Sequence, residues 1–466
     1  MSRPATLGQL RESGWRSVPV KEEVRRNACA RIVAGRPVVE GVLGYDDTVL
    51  PQLENALLAG HDMVFLGERG QAKTRIIRSL VELLDEWTPV VAGSEINDDP
   101  YVPVSRHARD LVRDHGDDTP VEWVHRSARF GEKLATPDTS IADLIGEVDP
   151  IRVAEGRYLS DELTLHYGLV PRTNRGIFAI NELPDLAERI QVGLLNVLEE
   201  RDIQVRGYKI RLPLDVMLVA SANPEDYTNR GRIITPLKDR FGAQIRTHYP
   251  LDVEAELAVV AQEARPLAVE GLRVEVPGHM AEIVAAISHQ ARQSPNVNQR
   301  SGVSVRLSIA NLETLVANAT RRALRLGEPE VVPRVSDLAA LGASTGGKVE
   351  IETLDEGRDE AVMERIVKTA VLDVFKRRVP GSRFGALLAE FEGGTVVHVG
   401  DDVPSAAYVE ALGGLPALRA AALPVAGSES PAAVASAVEL VLEGLHLSRR
   451  LNKDAAGGRA TYRGRG

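Results

Sequence analysis

Cysteine is nearly missing from these 466 residues, with Cys29 standing alone. One thiol excludes an internal disulfide and, without partner cysteines, a thiolate metal centre. It is in keeping with a reducing compartment, so the expected location is cytoplasmic. Long apolar runs are missing too. None approaches the roughly 18 residues needed to span a bilayer, and the N-terminus has no signal-peptide core, so no membrane insertion is expected. Nor is there an excess of positive charge: the formal net charge is -10 and the pI about 5.6, which gives no global basic field for nucleic acid or an anionic membrane. The basic end from Gly457 to Gly466 is read as a disordered tail rather than an RNA-binding segment. What remains, 44% hydrophobic and 26% charged, fits an ordinary soluble protein with room for two or three domains.

The octapeptide Gly67-Glu68-Arg69-Gly70-Gln71-Ala72-Lys73-Thr74 follows the apolar run Met63–Leu66 and leads into a helical pattern through Leu84. A phosphate-binding P-loop needs this strand, loop and helix order. Backbone N–H groups of the loop cradle phosphates, Lys73 reaches toward the β- and γ-phosphates, and the Thr74 hydroxyl is placed to ligate Mg²⁺. Ala72 departs from the pattern, which wants a second glycine there, because a Cβ restricts positive φ.

Three later segments add to this. Gly176–Asn181 is an apolar strand ending in Asn181-Glu182, the Walker B arrangement, with the first polar residue toward Mg²⁺ and the second toward the attacking water. Glu182 is the candidate general base; a helix cap ahead of Pro184 remains the other reading. Val216–Ser221 is a buried strand leading to Asn223, whose amide suits a water or the γ-phosphate. Arg240, within Leu237-Lys-Asp-Arg-Phe241, is an arginine of the kind that stabilises transition-state charge at a neighbour's phosphates. Each is weak singly, since Asn-Pro makes turns and Asp-Arg makes surface pairs.

Up to about residue 250, apolar strands alternate with amphipathic helices, which predicts an α/β fold with a parallel sheet covered on both faces. The predicted strands are Met63–Leu66, Gly176–Ile180, Val216–Ser221 and Ala243–Arg246. Helical spacing dominates from Val253. The expected divisions are an N-terminal helical extension over 1–40, an ATP-binding core over 41–250 with a polar insertion near 95–118, and a helical lid over 251–330. A region of unknown role follows over 331–450, then the tail over 451–466.

Taken together, these residues resemble the AAA+ ATPases of the branch containing the magnesium chelatase ATPase subunit and the MoxR chaperones. The resemblance covers roughly Val42 to Gly327 and includes Ala135–Gly146 and Tyr167–Gly176. It implies a P-loop sheet domain with a helical lid, ATP and Mg²⁺ as cofactors, and a homo-oligomeric, commonly hexameric ring. In it Asn223 would be sensor 1 and Arg240 the arginine finger. Arg306 in Ser301–Leu307 would be sensor 2, with Arg300 a competitor. The implied role is remodelling of a partner protein, including one with a von Willebrand A-type domain, or alternatively metal chelation with two other subunits. A slowly hydrolysing, nucleotide-gated scaffold is a third reading. It is motivated by Ala72 and by Asn181, which stands where the Walker B aspartate belongs and should weaken metal binding. No Gly-Ala-Phe-Thr-Gly-Ala loop of sigma-54 activators is found.

Overall fold

The computed structural model describes residues 3–148, 164–199, 202–204, 211–223, 231–298, 301–351, 358–456 and 458–465. The chain divides into two units, Met1–His248 and Tyr249–Gly466.

The first unit is built on five parallel strands: β1 (Met63–Leu66), β2 (Phe130–Leu134), β3 (Gly176–Asn181), β4 (Val216–Ala222) and β5 (Ala243–Arg246). Their spatial order is β5-β1-β4-β3-β2. Side-chain alternation explains why these runs are apolar throughout. Val64, Phe178, Ile180 and Leu218 enter a core on one face, while Met63, Phe65, Ile177 and Val219 enter a core on the other. The four predicted strands are present. The edge strand β2 was missed because Phe-Gly-Glu-Lys-Leu carries two charges and a glycine, a weak strand signal.

The N-terminal helix Val20–Val33 is fastened to this unit by a buried ion pair. Arg129 reaches both carboxylate oxygens of Glu23, at 2.9 and 2.6 Å, and also donates to Thr88 Oγ1 and to the Arg175 carbonyl. These additional hydrogen bonds are what make such a desolvated pair tolerable.

The polar segment 95–118 joins two strands, Trp87–Val91 and Val121–His125, that pair with each other outside the five-stranded sheet. It is more ordered than its composition suggests. Asp98 is fully buried and accepts from the backbone of Val104 and Ser105 and the hydroxyls of Ser94 and Ser105.

The second unit is mainly helical, with long helices Gly278–Gln293, Arg306–Leu326, Arg358–Arg378 and Pro431–Leu447. One hydrophobic core runs from Val260 to Tyr462. The last of these helices passes through that core. Gly444 lies so close to the Phe375 ring that a Cβ would overlap it.

The basic end corrects the sequence reading. Instead of a disordered tail it forms an antiparallel hairpin, β7 (Asn452–Ala456) and β8 (Arg459–Arg463), with β8 pairing also with β6 (Val396–Gly400). Alternation in Arg-Ala-Thr-Tyr-Arg puts Ala460 and Tyr462 in the core and the arginines outside. Among the described residues, no single helix is long and apolar enough to cross a membrane.

Candidate functional site

Parallel register brings the motifs to one edge of the sheet. Leu66 pairs with Ala222, Ala220 with Ile180, and Asn181 with Leu134, so the segments that follow β1, β3 and β4 leave from the same, C-terminal edge. In open α/β sheets this is where ligands bind.

The loop after β1 is held by its own side chains and by the strand ends beside it. Gln71 Oε1 accepts from Glu68 N at 3.0 Å and from Thr247 Oγ1 at 2.7 Å. Tyr45 Oη lies 2.9 Å from the Gln71 carbonyl and 2.7 Å from that of His248, and burial pushes its hydroxyl up to about 12. A Cβ on Gly67 would overlap Thr247 Oγ1 and Gln71 Oε1, so only glycine fits. Gly70 has φ 76°. Ala72 holds φ 55°, ψ 12° just ahead of the helix Lys73–Ser79, so the alanine keeps the left-handed backbone expected of the missing glycine. The side chain of Gln71 is thus spent on the loop itself, while Arg69 is exposed.

Lys73 is buried, and its ammonium donates to the Gly67 carbonyl, to the Glu68 carbonyl at 2.8 Å and to Asn223 Oδ1 at 2.7 Å. Asn223 Nδ2 in turn donates to Glu182 Oε2 at 2.6 Å. Lysine, amide and carboxylate from three separate motifs thus form one connected chain. Glu182 has left-handed φ of 56° and makes no side-chain capping bond to the short helix Leu183–Asp185 that follows, which disposes of the capping reading. Ser221 Oγ lies 3.2 Å from both the Glu182 N–H and Asn181 Oδ1 and fixes the tip of β3.

Asn181 Nδ2 donates to Glu132 Oε1 at 2.5 Å, and Glu132 Oε2 accepts from Arg78 Nε at 2.8 Å. Sequence reasoning missed Glu132 because it missed β2. Thr74, Arg78, Glu132, Asn181 and Glu182 line one cavity of about 440 Å³. Its donors are hydroxyl, amide and carboxylate oxygens, the hard ligands that suit Mg²⁺, so the residues present fit the ion. A larger cavity, about 800 Å³, lies within the second unit among Val335, Leu338, Met363, Glu443 and Lys453. It contains none of the residues that the motifs single out.

Arg240 ends the helix Thr235–Arg240, where its Nη1 donates to the Pro236 carbonyl at 3.1 Å. Because Met63 pairs with Ala243, it stands at the opposite end of the sheet from the loop. Arg306 is the first, exposed residue of Arg306–Leu326. Arg300 lies outside the described residues.

Comparison with known proteins agrees with this arrangement. The family described as the sigma-54 interaction domain matches residues 155–240, the stretch that carries Glu182, Asn223 and Arg240. The magnesium-chelatase subunit ChlI-2, chloroplastic, of Arabidopsis thaliana is 28% identical over 248 residues, 50% of this chain and 54% of that one. The magnesium-chelatase 38 kDa subunit of Cereibacter sphaeroides is 31% identical over 215 residues, 44% and 55% respectively. The chain is similar in these stretches to AAA+ ATPases of the magnesium chelatase ATPase-subunit branch. ATP with Mg²⁺ is the cofactor of that class, and the five-stranded sheet with its helices is its P-loop fold. This AAA+ chain spans about half the length of the relatives it matches. A solved complex of subunits BchI and BchD of magnesium chelatase aligns with 69% of this chain and 97% of that one, at 20% identity and a TM-score of 0.35, a level that says nothing of function.

Proposed function

We propose that this AAA+ protein binds Mg-ATP at Gly67–Thr74, hydrolyses it with Glu182 as general base, and uses the cycle to change the conformation of a partner protein. The observation that carries this reading is the connected chain Lys73, Asn223, Glu182, which joins a phosphate-reaching cation to a water-activating carboxylate. Thr74 and Asn181 would hold the ion, which when bound neutralises charge on the phosphates. Lys73 would bind them, and Glu182, held by Asn223, would take the proton of the attacking water. Arg240, at the opposite end of the sheet from its own loop, would serve a neighbouring copy in a ring, commonly a hexamer in this class. Arg306 would act as sensor 2. The partner remodelled in the MoxR manner would include one bearing a von Willebrand A-type domain.

A second reading is favoured by the relatives, which are named magnesium-chelatase subunits: here the partner would be the remainder of a metal chelatase. The sigma-54 activator reading is not adopted, because the chain lacks the Gly-Ala-Phe-Thr-Gly-Ala loop.

Glu182→Gln tests the chemistry. It keeps the shape and removes the basic oxygen, so Mg-ATP should still bind while turnover falls by roughly 10²-fold or more. Undiminished turnover would remove Glu182 from the role. Porphyrin metallation on mixing with chelatase partner subunits would decide for the second reading over remodelling.

A further inference from the structure

The Walker B position of this chain carries no charge, since Asn181 is an amide, and yet a carboxylate stands against it. Glu132 comes from β2, the strand next to β3. Because Leu134 pairs with Asn181, Glu132, two residues earlier, shares a sheet face with that partner. Its Oε1 is fixed by Asn181 Nδ2 at 2.5 Å and its Oε2 by Arg78 Nε at 2.8 Å, and its side chain is only 22% exposed. It lines the same cavity as Thr74 and Glu182.

Two physical points separate this from an ordinary surface pair. Arg78 is 64% exposed, so its attraction to Glu132 is screened by water and is worth little to the fold. Mg²⁺ sheds its water reluctantly and is held through one or two carboxylates, so a carboxylate that contacts the ion's water shell does much of what a direct ligand does. The hydrogen bond from Asn181 Nδ2 also fixes the orientation of the amide, whose Oδ1 accepts from Ser221 Oγ at 3.2 Å.

We propose that Glu132 supplies, from the neighbouring strand, the negative charge toward nucleotide-bound Mg²⁺ that Asn181 lacks, with Asn181 as its positioning residue. Arg78 then competes with the ion for the same carboxylate and sets how tightly the metal is held. The inference rests on the nucleotide site proposed above.

Mn²⁺, a paramagnetic stand-in for Mg²⁺, provides the test. The ion is titrated by electron paramagnetic resonance into the full chain with a non-hydrolysable ATP analogue, and nucleotide binding is measured separately at saturating metal. Glu132→Gln should weaken Mn²⁺ affinity about tenfold, in the range for losing an outer-shell partner, with nucleotide still bound at high metal. Adding Asn181→Asp to Glu132→Gln should return most of that affinity. Arg78→Gln should tighten Mn²⁺ by removing the competing cation, and it gives an independent reading if Glu132→Gln fails to fold. Wild-type Mn²⁺ affinity in Glu132→Gln would overturn the proposal. So would weaker binding in Arg78→Gln, which would make Glu132 merely the partner of an ion pair. A wild-type chain that holds no nucleotide at any Mn²⁺ concentration would defeat the nucleotide site as well, whereas normal binding with no effect of Glu132 defeats this inference alone.

Discussion

At the scale of single residues, Ala72 shows how a motif can lose its glycine and keep its backbone. A non-glycine residue in the left-handed region costs roughly 1–2 kcal/mol, and the rest of the loop overrides that cost through Tyr45, Gln71 and Thr247. Ala72→Gly would relieve the strain while adding about 0.4–1 kcal/mol of unfolded-state entropy, so the relief matches or outweighs the entropy. Thermal melting of Ala72→Gly should therefore show a stability equal to the parent's or up to about 1.6 kcal/mol higher. An alanine in right-handed helix would instead lose about 1 kcal/mol on this change, and a loss of that size would contradict the loop geometry. The motif residues were legible because P-loop chemistry needs particular side chains at fixed spacing. Glu132 was not, since no local spacing marks a carboxylate that acts across two strands.

Elements differed in legibility for a related reason. Strands buried on both faces, such as Val216–Ala222, read as unbroken apolar runs, whereas β2 and the terminal hairpin, with polar residues on one side, were lost among charges or taken for a tail. Buried polar links between elements were equally invisible in the sequence. His279, at the start of Gly278–Gln293, lies 2.9 Å through Nε2 from Ser436 Oγ on Pro431–Leu447. The Ser436 hydroxyl gives its own proton to the Pro333 carbonyl at 2.6 Å, so the histidine is the donor in that contact. Burial, aided by the charge of Arg378, pushes His279 down to about 4 from an ordinary 6.5. The unfolded chain therefore takes up a proton first as pH falls, and this group is neutral for stability above about 6.5. Between about 6.5 and 4 it lowers stability by roughly 1.4 kcal/mol per pH unit. Denaturant melts of the parent and of His279→Gln over that window should differ in slope by about one proton. Parallel pH profiles would show that His279 titrates normally in the folded state.

For the whole molecule, the proposed cycle places complementary halves of the site on different copies. Lys73 leaves one edge of the sheet and Arg240 stands at the other. Arg240→Ala alone should bind ATP and lose turnover, and Lys73→Ala alone should lose turnover because it binds no ATP, yet a mixture of the two should regain activity, because some interfaces then join an intact loop to an intact arginine. No recovery at concentrations where the parent assembles would assign Arg240 a role confined to its own subunit. The proposed function depends throughout on nucleotide binding at one loop. Calorimetric titration of Mg-ATP into the parent and into Lys73→Ala, with circular dichroism to establish that the variant is folded, tests that dependence most directly. The account predicts saturable binding to the parent and none detectable to the variant; equal affinity in the two would contradict it.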